Sequence, residues 1–162
     1  MNLEALLKQA MDLEKVQSML YQGLEKKFYF SKEISQFWSG MAEDEKGHYD
    51  SILKMFNQFN PDQLSVEVDN NLYNAICKGL SELKFSRLKD VFDLHDACKL
   101  AAEVEDYETV AVFEFIHTRF KDDSRRLKVS EGILAHMNKL TSFSDKFRSV
   151  DESRRIRAIP QF

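Results

Sequence analysis

Glycine and proline are scarce, with five and two in 162 residues. A sandwich or barrel of this length needs many more turn residues, so the composition points to long helices. Both prolines, Pro61 and Pro160, fall outside the strongly periodic stretches. Cysteine is equally sparse. Cys77 and Cys98 form no Cys-x-x-Cys pair, which excludes a zinc ribbon or a four-cysteine iron site. They read as two reduced thiols of a cytoplasmic protein. No apolar run approaches the roughly 18–20 residues that span a bilayer, and Met1-Asn2-Leu3-Glu4 lacks the basic start and apolar stretch of a signal peptide. The net charge is only −4, which argues against non-specific nucleic-acid binding. The expectation is a protein with neither membrane nor nucleic acid among its partners.

What the chain does contain is apolar residues at helical spacing. It is 43% hydrophobic and 31% charged, with thirteen Phe, which is the composition of a folded domain able to bury a core. Four long segments carry apolar stripes at three- and four-residue intervals. The first stripe is Leu3, Leu6, Ala10, Leu13, Gln17, Leu20, Leu24, Phe28. The second follows Ser31, a candidate N-cap, and reads Ile34, Phe37/Trp38, Met41, Glu45, His48, Ile52, Met55/Phe56, Phe59. The third begins near Asp93 with Leu94, Ala97/Cys98, Ala101, Glu105, Glu108, Val112, Phe115. The fourth, from Asp123 or Ser124, carries Val129, Ile133, His136, Leu140, Phe143 and Phe147. Residues 60–92 connect the two halves. Leu64, Val66 and Val68 alternate there as an extended stretch with no strand to pair with, and Asn71 to Leu83 reads as a short helix. Two hairpins joined by one long connection make an all-α, ferritin-like four-helix bundle with a single crossover between helices 2 and 3. The alternative topology is an up-down-up-down bundle with a long insertion. The crossover is expected to start the second hairpin at the end where the first began. The bundle occupies 1–148, and 149–162 forms a basic tail with Arg154, Arg155 and Arg157, read as a solvated arm in preference to a docking segment.

The residues that interrupt the stripes carry the chemistry. Glu14, Glu45, His48, Glu105, Glu108 and His136 stand where core positions are expected. An unpaired buried carboxylate costs several kcal/mol (about 2–7 for a neutral polar group, more for a charge), so several in one core require a compensating cation. A metal ion supplies one, and carboxylate with imidazole is the ligand set of iron, manganese or zinc. In Glu45-Lys46-Gly47-His48 the two groups are one helical turn apart and face the same way. Lys15 or Lys46 could instead neutralise the first-hairpin carboxylates, and His136 could be a hydrogen-bonded core histidine. His95 and His117 lie too far along the third helix from Glu105 to join it.

Leu13-Glu14 through Tyr21, with Met41-Ala42-Glu43-Asp44-Glu45-Lys46-Gly47-His48-Tyr49, resembles the first hairpin of the rubrerythrin-like branch of the ferritin-like superfamily. Ala97-Cys98-Lys99-Leu100-Ala101-Ala102-Glu103-Val104-Glu105 is similar to the start of that family's third helix. The resemblance covers roughly residues 3 to 145. It implies a di-iron carboxylate site with Glu14, Glu45, His48, Glu105 and His136 as ligands and Glu108 as an additional third-helix carboxylate. Tyr21 would be the tyrosine close to the metals. It also implies a redox reaction on peroxide, dioxygen or ferrous iron. Such bundles hold a Glu on each of two helices and Glu-x-x-His on the other two. The fourth helix departs from this, reading Ile133-Leu134-Ala135-His136, with Ile133 where the second bridging carboxylate belongs. Glu108 could replace the lost oxygen. The cysteine pairs of a rubredoxin-type electron-transfer domain are absent too, so an external electron donor is expected. The competing class is a non-enzymatic ferritin-like assembly or binding protein with a single-metal or metal-free site, and a zinc-bound structural site is a third. A homodimer is expected, with Phe28, Tyr29, Phe30 and Phe37 as candidates for its apolar patch.

Overall fold

In the computed structural model the described residues are 1–105, 112, 115, 118–119, 135–136, 138–147 and 156–159. Helix α1 spans Leu3–Lys27, and the Asn2 side chain caps it by accepting from the Ala5 backbone N–H at 3.0 Å. Helix α2 spans Lys32–Gln58. It begins directly after Ser31, as the sequence suggests, although the Ser31 hydroxyl makes no capping hydrogen bond. The four residues between the two helices force them antiparallel, and together they form the core hairpin.

Every apolar member of the α1 stripe is buried, and so are Leu7, Met11, Glu14 and Tyr21 beside it. The buried surface is wider than one stripe because α1 is covered by α2, by the helix of the crossover (Asn70–Glu82) and by a 3-10 segment. Gly23 allows the last of these contacts. A Cβ there would overlap the end of the Leu88 side chain, so with any other residue Leu88 would have to shift where the 3-10 segment (Phe85–Asp90) meets α1.

The connection is better ordered than its composition suggests. Helix α3 is the single turn Pro61–Leu64, held by a reciprocal capping box between Asn60 and Gln63. The alternating stretch after it does find a partner, the chain start. Leu3 N donates to Val66 O at 2.9 Å, and Val68 N donates to Met1 O at 3.0 Å. Helix α4 (Asn70–Glu82) is capped by Asp69. The crossover then ends beside the C-terminus of α1, where Lys27 Nζ donates to Val91 O at 3.1 Å. Helix α5 (Leu94–Glu105) therefore starts where α1 finishes, not where it began. The reason is simple: α2 has already returned the chain to the α1 start, so a crossover running the bundle's length arrives at the other end. Asp93 caps α5, accepting from the Asp96 N–H at 3.0 Å.

Residues 138–147 are helical and place Leu140 and Phe143 in the core. The expected solvated arm is corrected for residues 156–159, which pair with the backbone of the crossover end. Leu94 N donates to Ile156 O at 2.9 Å, Ala158 N to Phe92 O at 2.8 Å and Ile159 N to Lys27 O at 3.0 Å. Main-chain hydrogen bonds hold this stretch. Arg154 and Arg155 lie outside the described residues.

The described elements make an all-α ferritin-like bundle, with no strand among the described residues and only two isolated bridges. Among the described residues, no helix is long and apolar enough to cross a membrane. Of the four aromatics considered for a dimer patch, Tyr29 and Phe30 are exposed (70% and 50%), Phe37 is half-buried, and Phe28 is fully inside the core and unavailable.

Candidate metal centre

Three helices and one further helical residue bring the polar core groups together. On α1, Glu14, Gln17 and Tyr21 share a face, since steps of three and four residues are one turn each. On α2, Met41, Glu45 and His48 do the same. Glu105 comes from the last turn of α5 as described, and His136 from the fourth segment. Glu14, Glu45 and His136 are 1%, 2% and 3% exposed. The Glu105 side chain is nearly as deep, and that of His48 is partly open to solvent.

Glu45 is central. Its Oε2 lies 2.8 Å from His48 Nδ1, and its Oε1 lies 3.6 Å from His136 Nδ1. One carboxylate thus presents an oxygen to each imidazole. Glu14 Oε2 lies 3.6 Å from His48 Nδ1, and Glu105 Oε2 lies 3.6 Å from His136 Nδ1. Tyr21 donates its hydroxyl hydrogen to Glu105 Oε1. Ligand-type atoms of Glu45, His48 and His136 all lie within 4.8 Å of one another.

Neither alternative lysine neutralises this cluster among the described residues. Lys15 Nζ sits 3.7 Å from Asp12 and over the Tyr49 ring, and Lys46 is exposed. Both Glu14 oxygens are buried without a hydrogen-bond partner among the described residues. Orphaned acceptor oxygens beside imidazole nitrogens suit a cation of the iron, manganese or zinc type, so the residues present fit a bound metal. His95 is exposed, outside the cluster. Glu108 and Ile133 fall outside the described residues, as does His117.

The electrostatics follow from burial. Desolvation raises Glu45 well above the usual carboxylate range, with the neighbouring Glu14 and Glu105 charges adding to it, and raises Glu105 as well. Burial, with the Glu105 charge, also pushes the Tyr21 phenol upward. The two histidines part company. Burial pulls His48 down, but contacts with Glu14 and Glu45 outweigh it and push the group up to about 10. Burial and the neighbouring His48 charge push His136 down to about 4.

These shifts set the pH response of the metal-free protein. Native His48 keeps a proton that the unfolded chain releases near its ordinary value of about 6.5, so this stabilisation is complete below that pH and lost as pH rises toward 10. The raised carboxylates act in the same direction. His136 acts oppositely, but only below about 6.5, where the unfolded chain accepts a proton the native core refuses. With a chelator present, the melting temperature should therefore fall steadily from pH 7 to 9.5, and His48→Gln should flatten that slope. A wild-type melting temperature constant over that interval contradicts the assignment.

Sequence reasoning passed over two side chains of the cluster. Gln17 was read as a stripe position, but its Nε2 donates to Val104 O at 3.0 Å, tying α1 to α5 one residue before Glu105. Its place three residues after Glu14 and four before Tyr21 was the available signal. Met41, a position of the second apolar stripe, has its Sδ 2.9 Å from His136 Nε2. No local pattern marks that contact, because the partner is 95 residues away.

The fold and this cluster define a ferritin-like helical bundle with carboxylates and imidazoles gathered at its centre. The rubrerythrin family model matches residues 5–117, over half of the chain, and the chain belongs to that family. Membership implies iron binding. The matched span includes Glu14, Tyr21, Glu45, His48, Glu105 and Glu108, while Ile133 and His136 lie beyond it. No curated protein and no solved structure matches the chain.

Proposed function

We propose that this protein is a di-iron oxidoreductase that reduces peroxide or dioxygen, or oxidises ferrous iron, in the cytoplasm. The observation that carries the reading is the set of buried carboxylates that meet imidazoles and no lysine or arginine among the described residues. Glu45 would bridge two metal positions, with Glu14 and His48 completing one and Glu105, Glu108 and His136 the other. Iron bound there would supply the redox chemistry, the reduction of one peroxide to two waters taking up two electrons and two protons, with the electrons restored by an external donor. Tyr21 holds Glu105 through its hydroxyl and keeps a proton within the cluster. Trp38 and Met41, both fully buried, help wall the centre from water. Cys77 and Cys98 are not joined in a disulfide, which accords with the cytoplasmic setting. Exposed Tyr29 and Phe30 offer apolar surface for a homodimer, which sedimentation would test. Metal analysis and ferrous oxidation test the function. The expected result is two iron ions per chain and oxidation faster than in buffer. Protein without iron that leaves the oxidation rate unchanged removes the proposal.

Ile133 favours a second reading, a non-enzymatic ferritin-like protein with one metal or none. On that reading Ile133→Glu adds a metal position. On the catalytic reading the native chain already holds two ions and the substitution adds none. Colourless protein with tightly held zinc would indicate a structural site instead.

A further inference from the structure

We propose that Met41 is the positioning residue that sets which nitrogen of His136 faces the metal site. The inference rests on the reading of this cluster as a metal centre. The His136 ring is buried, and its two nitrogens meet different surroundings. Nε2 lies 2.9 Å from Met41 Sδ. Nδ1 lies 3.6 Å from Glu45 Oε1 and 3.6 Å from Glu105 Oε2. A thioether carries no hydrogen and can only accept. The contact is therefore satisfied when Nε2 carries the hydrogen and donates it to sulfur. In the neutral ring that leaves Nδ1 as a bare lone pair, turned toward two carboxylates. A lone pair and carboxylate oxygens repel one another unless a proton or a metal cation lies among them, so the tautomer selected by Met41 leaves this side of the cluster open to a metal ion.

The placement also follows from the helix. Met41 precedes Glu45 by four residues, so one turn of α2 presents both the sulfur behind the imidazole and the carboxylate in front of it. Histidine ligands ordinarily donate their second N–H to a carboxylate, a carbonyl or water, which makes the ring more basic. A neutral thioether orients the ring with less of that effect. His136 is thereby held in direction without being made a stronger base. His48 differs, since its Nδ1 contacts Glu45 and Glu14 directly.

Imidazole ¹⁵N chemical shifts of the metal-free protein near neutral pH test the assignment without any substitution. The expected spectrum shows His136 protonated at Nε2 alone. Protonation at Nδ1 alone, or at both nitrogens, overturns the proposal. Met41→Leu keeps the side-chain volume and removes the acceptor. It should lose the Nε2–H preference and weaken cobalt(II) binding by about 10-fold or more. Met41→Gln, whose carbonyl can accept, should restore the preference. An unchanged tautomer and unchanged cobalt affinity in Met41→Leu also overturn it. Failure of the wild type to bind cobalt(II) or ferrous ion would instead defeat the metal-centre reading, while the tautomer would still decide the part played by Met41.

Discussion

Replacing Glu45 with Gln is expected to remove bound iron, to slow ferrous oxidation at least about 100-fold, and to make the metal-free chain more stable. The first two effects follow from position. Glu45 presents one oxygen toward each histidine, so a neutral amide there takes an anionic oxygen from both sides of the cluster at once. The third follows from burial. The Glu45 carboxyl is pushed well above its ordinary range, chiefly by desolvation, so the native fold pays to hold its charge. The amide keeps the shape without the charge, and a gain of about 1–2 kcal/mol in the presence of a chelator is expected at pH 8. Opposite signs in the two states separate a ligand from a merely structural acid. Iron content, oxidation rate and melting with and without chelator measure all three. A Glu45→Gln protein that retains the wild-type iron content would defeat the bridging role.

Trp38→Ala is expected to cost about 3–5 kcal/mol, lowering the melting temperature by roughly 6–20 °C for a chain of this size. Trp38 is fully buried. It stacks on Tyr21 with ring centroids 6.0 Å apart and meets Phe37 and Phe143 edge-on at 4.9 and 5.5 Å. One indole therefore joins α1, α2 and the 138–147 helix, and removing it leaves a cavity at their junction. Trp38→Phe should cost much less, because the indole N–H has no hydrogen-bond partner to lose among the described residues. Thermal or denaturant unfolding decides the matter, and a loss below about 1 kcal/mol for the alanine variant would contradict the packing argument.

Much of the bundle was legible because helical periodicity is local. The stripes of α1 and α2 name their buried faces correctly, and Asp93 marks the start of α5. The polar interruptions Glu14, Glu45, His48, Glu105 and His136 were legible for the same reason, since a carboxylate on an apolar stripe conflicts with its surroundings and so draws notice. For Tyr21 the resemblance implies a place near the metals, but only the tertiary structure shows its hydroxyl on Glu105. The backbone partners of the crossover and of the tail were not legible. Residues 66–68 pair with the chain start, and residues 156–159 pair with residues 92–94 and Lys27, through backbone hydrogen bonds that carry no side-chain signature. Lys27 shows the same limit. An ordinary last-turn lysine in sequence, it is buried with its ammonium on two carbonyls, Val91 at 3.1 Å and Ile159 at 3.4 Å, and burial lowers its pKa.

From its residue order alone, this chain had to form long amphipathic helices and had to turn acids and imidazoles inward, because both properties repeat with the helical turn. Which carboxylate oxygen faces which histidine, which nitrogen rests on Met41 sulfur, and where the tail docks were decided only when helices distant in sequence came together. Those contacts depend on distances of a few ångströms between separate segments, and no spacing along the chain encodes them.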